Sequence, residues 1–496
     1  MSGPFLTLAN GAAAALAEVP VAPMGAFRET LIAEGRTRGR LVALFPWGEG
    51  AKRRLLALLA SESQGCFLVL AGELGAADRY AALTAEWPQA QAFERHLWEN
   101  WGIAPEGHPW LKPLAFPGAR ADRSFPGAYP YFAAAGGDLH EVAVGPVHAG
   151  VIEPGHFRFQ CRGEEVLHLE IQLGYQHRGL EGLLREAPYA KRLALVESLA
   201  GDTAVGHATC WAMVEEALGG ASTAPRGQGM RAVALELERL ANHAGDLGAL
   251  AGDVGFLPAA SYLGGLRGDF LNLTAALSGS RFGRGLVVPG GVRAGLGGAA
   301  TDEVARALEP LGVAFREYAG LLFDAASVEA RFEGTGAVER ETAEALGLVG
   351  VAARASGCDL DVRRDFPAGY YRFAQVSTRV LQTGDVYARA MVRRLEAEES
   401  LRFLAECLPA LPAGEGSRPA APPRPARLAA AAVEGWRGEI VHAAVTGPDG
   451  KIAALQLVDP SFHNWMGLAL ALRGQAISDF PLCNKSFNLS YAGHDR

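Results

Sequence analysis

A single long stripe of apolar residues most restricts what this chain can fold into. Over residues 226–251, apolar side chains recur at intervals of three and four residues, and they include Val233, Leu237, Leu240, Ala244 and Leu247. Such spacing places them on one face of an amphipathic helix that packs against a core, and we assign that face no chemistry. Similar patterns predict helices over residues 302–325, 339–355 and 384–407. The second part of the chain is therefore expected to be mainly helical.

The first part of the chain has a different pattern. Residues 41–45 and 66–70 are apolar runs of strand length, and residues 52–60 between them predict a helix. A stretch over residues 117–137 contains three prolines and four glycines and predicts a domain boundary. We therefore expect an α+β fold in which a small α/β domain precedes a larger, mainly helical one with peripheral β-hairpins. The predicted parts are a variable N-terminal segment (1–38), the small domain (39–117), a linker (118–139) and the large domain (140–496).

Two β-hairpins are predicted within the large domain. Residues 155–160 alternate in polarity and are followed by a turn and a returning strand over 166–173. Residues 438–445 and 451–458 flank Gly447-Pro448-Asp449-Gly450, which is a strong turn signal.

Composition excludes several classes of function. Lys and Arg number 46 against 54 Asp and Glu, a net charge of -8, which argues against nucleic-acid binding. The six cysteines have no close CxxC spacing, so the sequence predicts neither an iron–sulfur cluster nor a zinc ribbon. Scattered cysteines of this kind are typical of a reduced, cytoplasmic protein, which we expect here. No uncharged apolar run approaches the ~20 residues of a spanning helix, so we expect membrane association only through partners.

A run near the end of the first part resembles a known family. Residues 93–103 (FERHLWENWGI), 106–109 (EGHP) and 111–114 (LKPL) follow one another closely. Together they resemble the C-terminal signature of the 30-kDa (C) subunit of complex I.

The rest of the chain, from about residue 140, resembles the 49-kDa (D) subunit of complex I. It is more similar still to the large subunit of formate hydrogenlyase-type membrane hydrogenases, which fuse the same two modules in one chain. The segments that carry this resemblance are residues 145–148, 153–158, 177–181, 238–243, 288–292, 361–365, 384–389, 437–439, 460–465 and 473–474.

This resemblance implies a peripheral-arm subunit of a membrane-associated oxidoreductase complex. Its expected partners are a small iron–sulfur subunit, whose cluster supplies electrons, and membrane ion-pumping subunits on the inner face of the cell membrane. The implied activity is oxidation of NAD(P)H with quinone or a similar acceptor, coupled to ion translocation. NAD binding would belong to other subunits, and no cofactor is expected to bind this chain except quinone.

The related hydrogenases hold nickel and iron with two CxxC pairs, and this sequence lacks all four of those cysteines. The first motif aligns with residues 200–207, where Ala200 and Thr203 occupy the cysteine positions. The second aligns with residues 486–496, where Ser490 and Gly493 occupy them. Neutral hydroxyls are poor substitutes for thiolates, and Ala and Gly offer no ligand atom. We refer to these four residues as the ligand positions and expect no metal there.

Polar residues remain around the same place, and they are the candidates for chemistry. In complex I a histidine and a tyrosine line the quinone pocket, but the aligned places here fall near Pro154 and Gly201. The resemblance instead implies a proton relay or acceptor cavity, because imidazoles and partly buried carboxylates titrate near neutral pH. The candidate side chains are Glu153, His156, His148, His207 and Asp202.

Two alternatives stay open beside the oxidoreductase interpretation. These histidines could simply bond to backbone and fix loops, in which case the chain would be a non-catalytic scaffold that couples its partners. A nickel–iron hydrogenase is the less favoured alternative, because the thiolates are missing.

Overall fold

The structure is a computed structural model, and it describes residues 4–37, 39–75, 78–115, 129–150, 152–293 and 298–496. The first half of the predicted linker, residues 118–128, lies outside the described residues. Within the described ranges, no helix combines the length and the apolar character that crossing a bilayer requires.

An antiparallel sheet with the strand order β1-β6-β5-β4 forms the N-terminal region, and β3 adds to β6 in parallel. The helices α1 (Met24–Gly35) and α2 (Gln91–Trp101) accompany it, and the short strands β7 (Arg79–Ala81) and β8 (Ala104–Glu106) pair beside it. The strands of the sheet are β1 (Leu6–Ala9), β3 (Val21–Pro23), β4 (Arg40–Trp47), β5 (Arg54–Ser61) and β6 (Cys66–Glu73).

The helix predicted over residues 52–60 is wrong, because this segment forms the central strand β5. Its run of leucines and alanines is buried along its whole length, between β4 on one side and β6 on the other. A continuous apolar run lacks the period that distinguishes a strand from a helix, so only its neighbours decide the outcome.

A second antiparallel sheet joins the two ends of the chain. Its order is β16-β15-β14-β2, so a strand from the first residues, β2 (Ala12–Ala15), pairs with β14 (Arg427–Glu434). The predicted hairpin is confirmed as β15 (Glu439–Thr446) and β16 (Ile452–Val458). The Gln456 side chain bonds to both backbone groups of Leu44 at 2.7 and 3.2 Å, which connects this sheet to the first one.

Long helices form the body of the remaining chain. The predicted apolar stripe lies in α6 (Pro225–Asp253), which is buried over most of its length and packs against α7 (Leu257–Ser278) and α13 (Val386–Cys407). The mixed, mainly helical fold predicted for this region is confirmed. Its other helices are α3 (Leu180–Glu186), α4 (Tyr189–Val196), α5 (Ala204–Gly219), α8 (Gly298–Phe323), α9 (Ala326–Phe332), α10 (Arg340–Leu346), α11 (Gly350–Ala355), α12 (Val362–Asp365), α14 (Pro460–Ala471), α15 (Phe480–Phe487) and α16 (Tyr491–Asp495).

A three-stranded antiparallel sheet stands beside the helices and carries the loop with two candidate histidines. It consists of β9 (His140–Val144), β10 (His156–Arg162) and β11 (Glu165–Gln172), and the last two strands are the predicted hairpin. The short strands β12 (Val287–Val288) and β13 (Gly291–Val292) form a further pair.

Candidate functional site

The structure brings the two halves of the ligand positions to one place. Ala200 and Thr203 immediately precede α5, whereas Ser490 and Gly493 lie at and within α16, and all are buried. Arg437 connects the two halves, because its guanidinium donates to Thr203 Oγ1 at 3.2 Å and to the carbonyl oxygen of Asn488 at 2.5 Å.

The space beside Gly493 is occupied by a carboxylate. A Cβ atom added to Gly493 would lie 2.7 Å from the carboxyl carbon of Asp459 and 2.9 Å from both of its oxygens. Real Cβ contacts do not become this short, so any side chain at position 493 would have to displace Asp459.

The two hydroxyls at the ligand positions are already engaged. Ser490 Oγ accepts the backbone N–H of Gly493 at 2.9 Å and so caps the start of α16. Thr203 Oγ1 accepts from the Trp436 indole at 3.1 Å and from Arg437, while it donates to Asp202 Oδ1 at 3.0 Å. Both oxygens therefore serve the protein's own hydrogen-bond network.

Asp459 belongs to a fully enclosed chain of three side chains. Its Oδ2 lies 2.9 Å from Nε2 of His207, and the other ring nitrogen of His207 lies 3.2 Å from Nε2 of His442. Burial alone would raise the pKa of Asp459, but the hydrogen bond and charge of His207, with Arg437, lower this pKa to about 2. The same burial lowers the pKa of His442 well below its ordinary value. The structure thus places the candidate His207 in the interior, at a distance from solvent.

A buried arginine and a partly exposed aspartate form the edge of this region. Both carboxylate oxygens of Asp202 accept from the Arg437 guanidinium, at 2.6 and 2.7 Å. The Asp202 side chain is 32% exposed and that of Arg437 only 5%. Burial raises the pKa of Asp202, but the adjacent guanidinium outweighs this effect and the pKa is lowered overall. Such a bidentate pair holds both groups in a fixed orientation.

Glu153 lies at the same edge, and we call Glu153, Asp202 and Arg437 the rim. The half-buried carboxylate of Glu153 accepts the backbone N–H of Tyr491 at 3.1 Å. Burial raises the pKa of Glu153 and the charge of Asp202 adds to this, whereas Arg437 opposes it. Two carboxylates therefore lie near one cation, and the pKa of Glu153 remains above its ordinary value while that of Asp202 lies below.

His148 lies on the loop before β10 and His156 is the first residue of that strand, and the hydrogen bonds of both side chains go to backbone. The Nε2 atom of His148 lies 2.9 Å from the carbonyl of Gly155, and Nδ1 of His156 lies 3.3 Å from the carbonyl of Gly145. Burial lowers the pKa of His156. These contacts hold the loop closed on itself. The structure therefore brings Glu153 and Asp202 together with Arg437, and within the described residues neither of these two histidines makes a hydrogen bond to the rim.

Sequence reasoning did not identify several residues that shape this site. Arg437 and Glu238 appear only as parts of the segments that carry the resemblance, and the sequence pattern singles out neither Trp436 nor Asp459. Glu238 accepts the backbone N–H groups of Val205 at 2.8 Å and Gly206 at 3.1 Å, at the start of α5. Its burial, with the nearby charge of Asp202, raises the pKa of Glu238 to about 8. The sequence signal that could have identified Glu238 is the presence of a carboxylate among the apolar residues of α6.

Comparison with known proteins now identifies the relatives of this fold. Residues 253–424 match the family model for the respiratory-chain NADH dehydrogenase, 49 Kd subunit. The carbon monoxide-induced hydrogenase of Rhodospirillum rubrum is 30% identical over 350 residues, which is 70% of this chain and 97% of that protein. Formate hydrogenlyase subunit 5 of Escherichia coli K12 is 27% identical over 452 residues, or 87% of this chain and 79% of that protein.

A solved structure supports the same relationship. A chain of the membrane-bound sulfane sulfur reductase, an archaeal respiratory membrane complex, superimposes with a TM-score of 0.68 and 25% sequence identity. The match covers 72% of this chain and 99% of that one. The fold and its relatives define a class of oxidoreductase subunits that includes both hydrogenases and NADH–quinone oxidoreductases. Within that class, the chain belongs to the family of the 49 Kd subunit of respiratory-chain NADH dehydrogenase.

Proposed function

We propose that this chain is the peripheral-arm subunit of a membrane-associated complex that resembles NADH–quinone oxidoreductase or formate hydrogenlyase, and that it works without a nickel–iron centre. Electrons arrive from the iron–sulfur cluster of a small partner subunit and pass to quinone or a related acceptor at the rim. Ion-pumping membrane subunits couple this transfer to ion translocation, and they hold the chain at the inner face of the membrane. Oxidation of NAD(P)H takes place in other subunits.

The observation that carries this proposal is the position of the Asp459 carboxylate. It fills the space that a metal-binding side chain at Gly493 would need. The two hydroxyls at the ligand positions are engaged in hydrogen bonds, and Ala200 offers no donor atom. Hard or neutral oxygen groups are also a poor match for a metal pair that is otherwise held by thiolates. The residues present therefore do not fit a nickel–iron centre.

The chemistry that we assign to the rim is proton supply. Reduction of a quinone to a quinol takes up two electrons and two protons, and the electrons come from outside this chain. Glu153 is half-buried at the rim, with a pKa above its ordinary range. Its carboxyl group therefore holds a proton to a higher pH than an ordinary glutamate and can deliver it to the reduced acceptor, after which it is reprotonated from solvent. Arg437 fixes Asp202 and limits how far the pKa of Glu153 rises.

The Glu153→Gln variant of the whole complex tests this role. We expect quinone-dependent turnover to fall by about a hundredfold, which is the lower end of the usual contribution of a positioned acid or base. Complex assembly should be unchanged, because Gln can still accept the backbone N–H of Tyr491. The matched control is Glu164→Gln, in the exposed turn between β10 and β11. Normal turnover in Glu153→Gln would remove this residue from the mechanism.

A second candidate function is a scaffold that couples the partner subunits without taking part in chemistry. The specific observation in its favour is the closure of the interior, where His207, His442 and Asp459 are 0% exposed. The oxidoreductase and scaffold functions predict different results when quinone binding to the purified complex is measured. Saturable binding that weakens in a rim variant supports the oxidoreductase, whereas absence of binding supports the scaffold.

A further inference from the structure

A cavity of about 420 Å³ lies between the N-terminal segment that links β1 to β2 and the helical body, and it shares no residue with the rim. The turn between β1 and β2 closes one side, and α5, α6, β14 and the segment that follows α12 form the others. Its volume lies within the range of pockets for small organic ligands. Along α5, Thr203 at the site and Met213 in the cavity are ten residues apart, about 15 Å in a helix.

The buried charged residues of the cavity wall are already neutralised by partners within the protein. Glu216 pairs with Arg231 at 2.6 Å, and Glu434 pairs with Arg354 at 2.8 Å. An ionic ligand would therefore lose its hydration without gaining a free counter-charge.

Two other arginines lie at the cavity, and neither alters this conclusion. Arg363 pairs with Asp361 at 2.7 Å and with Glu236 at 3.1 Å. Arg372 is exposed at the edge of the cavity, where solvent screens its charge.

The remaining wall is apolar and aromatic, and two of its polar side chains, Thr209 and Gln228, have no hydrogen-bond partner in the described part of the chain. Met213, Leu235 and Phe366 supply apolar surface, and Tyr370 adds an aromatic ring. The half-buried Gln228 also lines the cavity. Its side-chain amide makes no hydrogen bond to any side chain or backbone group in the described part of the chain. An amide in this position can donate to or accept from a ligand.

We propose that this cavity is a binding site for a neutral, ring-containing small molecule that bears a hydroxyl or carbonyl group. The ring would contact the apolar wall, and the polar group would bond to the Gln228 amide. The pairing of the wall charges selects against anions and cations. This inference does not depend on the proposed function at the rim, because no residue is common to both places.

The test uses three probes of one shape, titrated into the full chain by calorimetry. These are 2-naphthol, naphthalene, which lacks the hydroxyl, and 2-naphthalenesulfonate, which carries a negative charge. We expect 2-naphthol to bind about tenfold more tightly than naphthalene, which is the effect of one neutral hydrogen bond, and the sulfonate to bind weakest. Absence of 2-naphthol binding, or stronger binding of the sulfonate, would overturn the proposal.

Two variants locate the binding in this cavity. Gln228→Met keeps the length of the side chain and removes the amide, so the affinities for 2-naphthol and naphthalene should become equal. The matched control Gln64→Met changes an exposed glutamine outside the cavity and should leave both affinities unchanged. Ala217→Leu, on the α5 wall, should abolish binding of both probes by filling the cavity. Unchanged 2-naphthol affinity in both cavity variants would contradict the assignment.

Discussion

Replacement of Asp459 by Asn tests how strongly the interior depends on the carboxylate that lies beside the ligand positions. This carboxylate is 0% exposed, lies 2.9 Å from the ring of His207, and accepts the N–H of Ser461 at 2.8 Å. Asn has nearly the same volume and can still cap α14, so the substitution removes mainly the charge. The interaction with His207 is the part that should be lost.

The expected loss of folding stability follows from the pKa of Asp459. The ordinary pKa of 3.8 and the folded-state pKa of about 2 differ by an amount that corresponds to roughly 2.5 kcal/mol, at 1.36 kcal/mol per pH unit. Because the folded-state pKa of Asp459 is the lower one, this stabilisation is complete above about pH 4. It is lost as the pH falls from about 4 to about 2.

Urea unfolding of the full chain, followed by tryptophan fluorescence, measures this effect. At pH 7 we expect Asp459→Asn to lower the free energy of unfolding by roughly 2.5 kcal/mol, and the difference from wild type should shrink below about pH 4. The control is Asp449→Asn in the exposed turn between β15 and β16, which should change the stability little. An Asp459→Asn variant as stable as wild type at pH 7, or a difference independent of pH, would refute the reasoning.

Two further predictions concern the same region. Gly493→Ala should cost about 1–3 kcal/mol of folding stability, because the added methyl group overlaps the Asp459 carboxylate; Gly182→Ala in α3, where an added Cβ has open space, is the control and should not destabilise. Arg437→Met should raise the pKa of Glu153 further, because the guanidinium now lowers it. The alkaline limb of the pH profile of turnover should therefore move to higher pH, and an unshifted limb would exclude Arg437 from control of Glu153.

The sequence predicted those parts of the fold that have a local pattern. The stripe in α6 and the two hairpins have periods or turn residues that specify their structure without reference to the rest of the chain. The strand β5 was mistaken for a helix, because its continuous apolar run has no period and its identity depends on pairing with β4 and β6. The pairing of β2 with β14 could not be predicted either, since it joins residues more than 400 positions apart.

The same distinction applies to the candidate site. The motif pattern located the four ligand positions, and the structure brings their two halves together through Arg437. What fills the space between them could not be read from the motif. Asp459, which caps the start of α14, lies beside Gly493, and Arg437 pairs with Asp202 across 235 positions. Such long-range contacts depend on the assembled fold and leave no spacing signal in the sequence.

Metal analysis of the purified native complex that contains this chain tests the central claim most directly. The claim is that the Asp459 carboxylate and the engaged hydroxyls leave no site for nickel at the four ligand positions. The account predicts iron from the clusters of partner subunits and no nickel in stoichiometric amount. One nickel per copy of this chain would contradict it, and would mean that other ligands hold a metal where we place the acceptor and its proton supply.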